Sequence, residues 1–153
     1  MKKFVFLLLI SLFVVTFASA QDSNKVTQVI ESNKITYGQS AYFVAIALNL
    51  ASDSTSEADC SKAISDANII KLPEDLATTI SCDDFALLCM KAWNLKGGVF
   101  YTLTQNKRYA FKEFKSLGLL PISTDPKQSL SGRTALNIIS SCIELSQKVV
   151  TNE

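Results

Sequence analysis

Three stretches of sixteen residues carry the same order of apolar and polar positions: Ile35 to Leu50 (ITYGQSAYFVAIALNL), Ile80 to Leu95 (ISCDDFALLCMKAWNL) and Leu130 to Leu145 (LSGRTALNIISSCIEL). Each opens on an aliphatic residue followed by a hydroxyl residue: Ile35-Thr36, Ile80-Ser81 and Leu130-Ser131. Each closes on a leucine preceded by a large apolar residue and one polar residue. Within them Ala41, Val44, Ala45 and Leu48, and likewise Phe85, Leu88, Cys89 and Ala92, follow the i, i+3, i+4, i+7 spacing that puts side chains on one face of a helix. Thr36 and Gln39 have the capping-box spacing. Ser81 with Asp84, and Ser131, stand where helix starts are expected, and Asp83 and Asp84 fall where the helix dipole favours negative charge.

Two shorter helices are predicted between the long ones. One runs from about Ala58 to Asn68 with Cys60, Ala63, Ile64 and Ala67 as its stripe. The other runs from about Lys107 to Leu117 with Ala110, Phe111, Phe114 and Leu117. Asn68 and Gly118 suit the left-handed position that ends a helix, and Pro73 enforces a break. An offset of fifty carries Cys60 to Ala110, Ile64 to Phe114, Asn68 to Gly118, Ile69-Ile70 to Leu119-Leu120, Asp75 to Asp125 and Ile80 to Leu130. The predicted unit is therefore a short helix, a turn, an aliphatic pair, a Pro/Asp loop and a capped long helix, stacked because one unit cannot bury its own apolar face. Two units are complete, and Ile35 to Leu50 is a leading half. The expected fold is all-α. One short extended segment is expected at 99–104, where VFYTLT is β-branched and aromatic. Residues 21–34 are expected to be a short helical turn or a frayed end, and 146–153 a polar tail.

The repeat resembles the S-layer homology (SLH) domain, whose units run short helix, turn, loop and long helix, with an aliphatic-Thr-Arg-Ala-Glu signature opening the long helix. The corresponding residues here are Ile-Thr-Tyr-Gly-Gln at 35–39, Ile-Ser-Cys-Asp-Asp at 80–84 and Leu-Ser-Gly-Arg-Thr at 130–134. The arginine position is filled by Tyr37, Cys82 and Gly132, with Arg133 one residue late. The likeness spans about residues 35–145. It implies a pseudo-threefold helical bundle outside the cytoplasm of a bacterium, with cell-wall polymer as the ligand. The missing signature arginines favour an alternative, an extracytoplasmic protein-interaction or assembly scaffold whose partner is an envelope protein.

Composition narrows the compartment. Lys2 and Lys3, the apolar run Phe4 to Phe17 and Ala18-Ser19-Ala20 have the form of a secretory signal over residues 1–20. The remaining chain would hold 13 basic and 14 acidic residues, a net charge of −1. That balance gives no long-range attraction to nucleic acid or anionic membrane, so a nucleic-acid partner is not expected, nor is a transmembrane segment after signal cleavage. In an exported chain Cys60, Cys82, Cys89 and Cys142 are expected to form disulfides. Cys82 and Cys89 lie about 10 Å apart along one helix, too far to pair. Cys60–Cys82 with Cys89–Cys142, or Cys60–Cys89 with Cys82–Cys142, are left.

No histidine occurs, which removes Ser/His and Cys/His nucleophilic pairs and histidine metal sites. There is no Cys-x-x-Cys pair and no glycine-rich phosphate loop. No enzymatic activity, cofactor or metal is expected. The candidate binding residues are the basic stripe Arg108, Lys112 and Lys115 beside Tyr101 and Tyr109, together with Arg133. Thr36, Ser81 and Ser131 are added where long-helix N-termini would offer free backbone N–H groups to an anion. Trp93 is read as a core residue.

Overall fold

The computed structural model describes residues 18–150. Lys2 to Phe17, the charged start and apolar run of the signal-like segment, lie outside the described residues. Seven helices follow: α1 (Ala18–Glu31), α2 (Tyr37–Ala47), α3 (Glu57–Asp66), α4 (Cys82–Ala92), α5 (Val99–Thr104), α6 (Lys107–Ser116) and α7 (Gly132–Val150). The fold is mostly helical with no sheet; the only ladder-type contacts among the described residues are two isolated antiparallel bridges, Thr36 with Thr79 and Ser81 with Ser129.

The three helices that begin the repeated stretches, α2, α4 and α7, meet one another, and each is packed by one further helix: α3 against α2, α6 against α4 and α1 against α7. Ile35, Ile80 and Leu130, the opening aliphatics, are all buried. The Ile35 N–H donates to the Leu130 carbonyl (2.9 Å), and the Ile80 N–H donates to the Ile35 carbonyl (3.0 Å). The apolar stripes are buried over most of their length, with Ala41, Val44, Ala45, Cys60, Ile64, Phe85, Leu88, Cys89, Ala110 and Phe114 fully enclosed. Only the last residues of the short stripes, Ala67 and Leu117, come out to solvent, because they are C-caps. Trp93, the C-cap of α4, is partly buried against the core.

Positions fifty apart repeat not only residue type but hydrogen bonding. Asn68 and Gly118 both have positive φ, 55° and 73°. The next N–H closes the helix in the same way each time, Ile69 to the Ile64 carbonyl and Leu119 to the Phe114 carbonyl. Asp75 and Asp125 each accept the N–H two residues on, from Ala77 and Lys127.

Three expectations are corrected. Residues 99–104 form a helix, α5, instead of an extended segment. β-propensity reflects packing on a pleated surface, and here no strand is available to pair with. The backbone groups satisfy one another locally instead, with the Thr102 N–H and hydroxyl both donating to the Gly98 carbonyl and the Thr104 hydroxyl to the Phe100 carbonyl. Residues 21–34 belong mostly to α1, a fourteen-residue helix held by Val29 (4% exposed) against α7. Last, α7 continues to Val150, past the end of the repeated pattern at Leu145.

Candidate functional site

The N-termini of the long helices are interlocked, not open. At α2 the Tyr37 and Gly38 N–H groups donate to the Thr78 and Leu76 carbonyls of the loop that leads into α4. At α4 the Cys82 and Asp83 N–H groups donate to the Gln128 and Pro126 carbonyls of the loop that leads into α7. At α7 the Gly132 N–H donates to the Ser32 carbonyl in the turn that leads into α2. Thr36 and Ser131 cap their helices with their side chains, whereas Ser81, expected to cap α4, makes no side-chain capping bond. Thr36 and Gln39 complete the capping box, each 3.1 Å from the other's backbone nitrogen. Ser131 accepts the Thr134 N–H (3.3 Å). The Ser81 hydroxyl donates to Asp83 and Asp84. A helix start offers an anion its free N–H groups. In α2 and α4 those donors are already taken by neighbouring loops, so the anion groove expected around Thr36 and Ser81 has no donors left to form it.

The residues at the signature-arginine position explain themselves in the same terms. The Tyr37 hydroxyl donates to Asp84 at 2.9 Å. Cys82 is 1% exposed. A Cβ on Gly132 would sit 1.6 Å from the Val29 carbonyl oxygen. All three are consumed in packing between neighbouring parts of the chain.

Asp83 and Asp84 anchor a charged cluster that sequence spacing did not reveal. Asp83 is buried and accepts from Lys127 (2.8 Å), while Asp84 accepts from Lys107 (3.0 Å). Burial opposes ionisation of Asp83, but the hydrogen bonds from Lys127 and Ser81 and the Lys107 charge outweigh it and hold the carboxyl below its usual range. Hydrogen bonding to Asp83 raises the Lys127 ammonium. Burial, and then the hydrogen bond to Asp84, push the Tyr37 phenol up. The carboxylate pair is therefore neutralised and structural. The lysines lie 44 and 23 residues from their partners, which is why periodicity along the chain gave no sign of them.

The basic stripe divides. Lys115 donates to the Ile122 carbonyl at 2.8 Å and lies over the Phe111 ring at 4.5 Å, so its charge serves the α6 end and the following loop. Arg108 and Lys112 remain exposed. Lys112 sits 5.5 Å from the Tyr109 ring, and Tyr109 stacks on Phe100 of α5 with centroids 5.4 Å apart and planes at 13°. Val99, Phe100 and Leu103 are 73%, 65% and 77% exposed, while Tyr101, on the other side of α5, is buried. Arg133 is exposed on α7. The structure thus places Lys112 beside the Tyr109 ring, with Arg108 exposed on the same helix, and leaves Arg133, Thr36, Ser81 and Ser131 elsewhere.

The four cysteines are free and buried, in place of the expected disulfides. Each fills a core position as a small apolar side chain. Cys89 and Cys142, one of the pairings considered, have their thiols in contact, and burial followed by that contact raises the Cys89 thiol. Burial and nearby carboxylates push Cys82 up to about 11. Among the described residues no group of three or more Cys, Asp or Glu is placed to hold a metal ion, and no helix is long and apolar enough to cross a membrane. Comparison with protein-family models, with curated proteins and with solved structures finds no match to this chain.

Proposed function

We propose that the protein is a non-catalytic, exported cell-envelope module built from three SLH-like units, which binds anionic cell-wall glycan through the α5–α6 face. The units would be α2 with α3, α4 with α6, and α7 with α1, so that the first helix completes the last unit. The repeated caps, positive-φ residues and loop-to-helix interlocks support this reading, and residues 1–20 support export.

One observation carries the choice of surface. Leu95 follows Leu50 by 45 positions, but Lys107 follows Glu57 by 50, so the second inter-helix connection is five residues longer than the first. The longer connection contains α5, whose Val99, Phe100 and Leu103 are left exposed, and α5 packs on α6, which carries the exposed part of the basic stripe. An element that gives the core only Tyr101 and turns Val99, Phe100 and Leu103 outward, with Phe100 stacked on Tyr109 beside Lys112, has the composition of a binding face.

The test is co-sedimentation of the purified protein with cell-wall sacculi at low and high salt. Pelleting that weakens with ionic strength and is lost in R108A/K112A is expected. Complete recovery in the supernatant at both salts would refute the proposal. The exposed Val99, Phe100 and Leu103 favour a second reading, an interface for an envelope protein. That interface would be apolar, insensitive to salt and abolished by F100S/L103S.

A further inference from the structure

A cleft of about 270 Å³ lies behind α5, between the C-terminal ends of α3 and α4. Its lining includes three carboxamide residues, Asn68, Asn94 and Gln105, all of them exposed, with Lys91, Ile69 and Tyr101. None of the three amide side chains hydrogen-bonds within the described residues. Together they offer six N–H donors and three carbonyl acceptors to whatever enters.

Backbone geometry marks the same place. Among the described residues four non-glycines have positive φ, Asn49, Asn68, Asn94 and Gln105, and three of them line this cleft. Asparagine accepts that conformation readily, and its use at the ends of α3 and α4 follows from helix termination alone. Glutamine has no such aptitude, so Gln105 at φ 45° is held there at some cost.

The chemistry of the wall selects the ligand. Two helix C-termini converge on the cleft, and their partial negative charge disfavours an anion; a single ammonium, Lys91, does not offset both. The same ammonium, with no carboxylate in the wall, disfavours a cation. A wholly apolar ligand would leave three carboxamides desolvated and unpaired. A neutral, polyhydroxylated ring satisfies every part, with hydroxyls for the amides and the helix-end carbonyls and a C–H face for Tyr101 and Ile69.

We propose that this cleft is a subsite for one neutral pyranose unit of a glycan chain. The proposal rests on the glycan-binding reading above and adds to it: α5 divides the work, with Arg108 and Lys112 outside for anionic groups and the carboxamide cleft behind for an uncharged sugar.

The variant that tests it is N68G/N94G/Q105G. Glycine adopts positive φ freely, as Gly118 already does at φ 73°, so the three amides are removed while the backbone is kept or relaxed. Binding is read by heteronuclear NMR at the backbone amides of Ile69 and Leu95 during titration with N,N′-diacetylchitobiose and, separately, maltose. Saturable shifts with at least one sugar are expected. They should be retained in R108A/K112A and weakened by roughly tenfold or more, about 1.4 kcal/mol, in the triple-glycine variant, with no fall in melting temperature. Absence of saturable shifts with both sugars, equal binding by the glycine variant, or shifts confined to Arg108 and Lys112 would each overturn the subsite. Should the protein still pellet with sacculi in any of those cases, the subsite alone falls. Cleft shifts without pelleting would keep the subsite and reject sacculus binding.

Discussion

Gly132 is the place where a single methyl group should do the most damage, and where helix propensity predicts the opposite sign. It opens α7 against the end of α1. A Cβ built there would lie 1.6 Å from the Val29 carbonyl oxygen and 2.5 Å from its carbon, against the 3.0 Å below which real Cβ contacts essentially do not occur. The clash is with backbone, so no rotamer change relieves it, and α1 must retreat by at least 1.4 Å. Retreat stretches the 3.0 Å bond from Gly132 N–H to the Ser32 carbonyl and uncovers Val29. Overpacking of this kind costs about 1–3 kcal/mol and the hydrogen bond about 1 kcal/mol. Replacing glycine by alanine in a helix returns at most about 1 kcal/mol. G132A should therefore destabilise the protein by about 2 kcal/mol, a fall in Tm of roughly 6–8 °C for a chain of this size. Thermal unfolding followed by circular dichroism measures the fall, and hydrogen exchange should show the loss of protection concentrated in α1. A Tm equal to or above that of the parent would refute the argument. Gly118→Ala is the control: nothing lies within 4 Å of its added Cβ, so any penalty comes from positive φ alone.

Two further predictions concern ionisation. The Asp83 carboxyl is depressed, so its contribution to stability is complete above the ordinary carboxyl pKa of about 4 and is lost as pH falls below it. Acid unfolding monitored by circular dichroism should consequently shift to higher pH in D83N, with a loss near neutrality of about 1.5–3 kcal/mol for a charge-assisted hydrogen bond. The four buried thiols, with those of Cys60, Cys82 and Cys89 raised by burial first of all, should react slowly with a thiol reagent in the native protein at pH 8 and completely in denaturant. Rapid native reaction of Cys82 would contradict its burial.

Features set by near neighbours along the chain are legible in the sequence itself. The Thr36–Gln39 capping box, the left-handed Asn68 and the stripes through Val44, Ile64, Leu88 and Phe114 all depend on residues within one or two turns. What escaped depends on the rest of the chain. Residues 99–104 have β-propensity that only a pairing strand could express. Helix α1 is polar in composition, and its buried Val29 meets a helix that begins a hundred residues later. Asp83 and Asp84 were legible as a helix-start charge, but their lysines arrive from α6 and the loop before α7. Gly132 signalled only the absence of an arginine; that its missing Cβ admits a backbone carbonyl follows from the packing of α1. In the basic stripe, the spacing of Arg108, Lys112 and Lys115 could not show that Lys115 is held by the Ile122 carbonyl and the Phe111 ring. The carboxamide cleft had no periodic signal, since Asn68, Asn94 and Gln105 meet only through the termination of three separate helices.

The contact between α1 and α7 also sets the order in which the molecule can be assembled. A linear stack of repeats can grow from either end, each unit settling on the one before. Here the first helix docks on the last, so the closing step joins segments about a hundred residues apart, and its entropic cost is met only when both ends are present. A chain released from the ribosome amino end first lacks the α7 contacts of Val29 until residues 132–150 have followed. Completion of the fold is therefore the shutting of a ring, and an unfinished chain leaves the α7-facing side of α1 open, with Lys25 over the Tyr42 ring as an earlier tie.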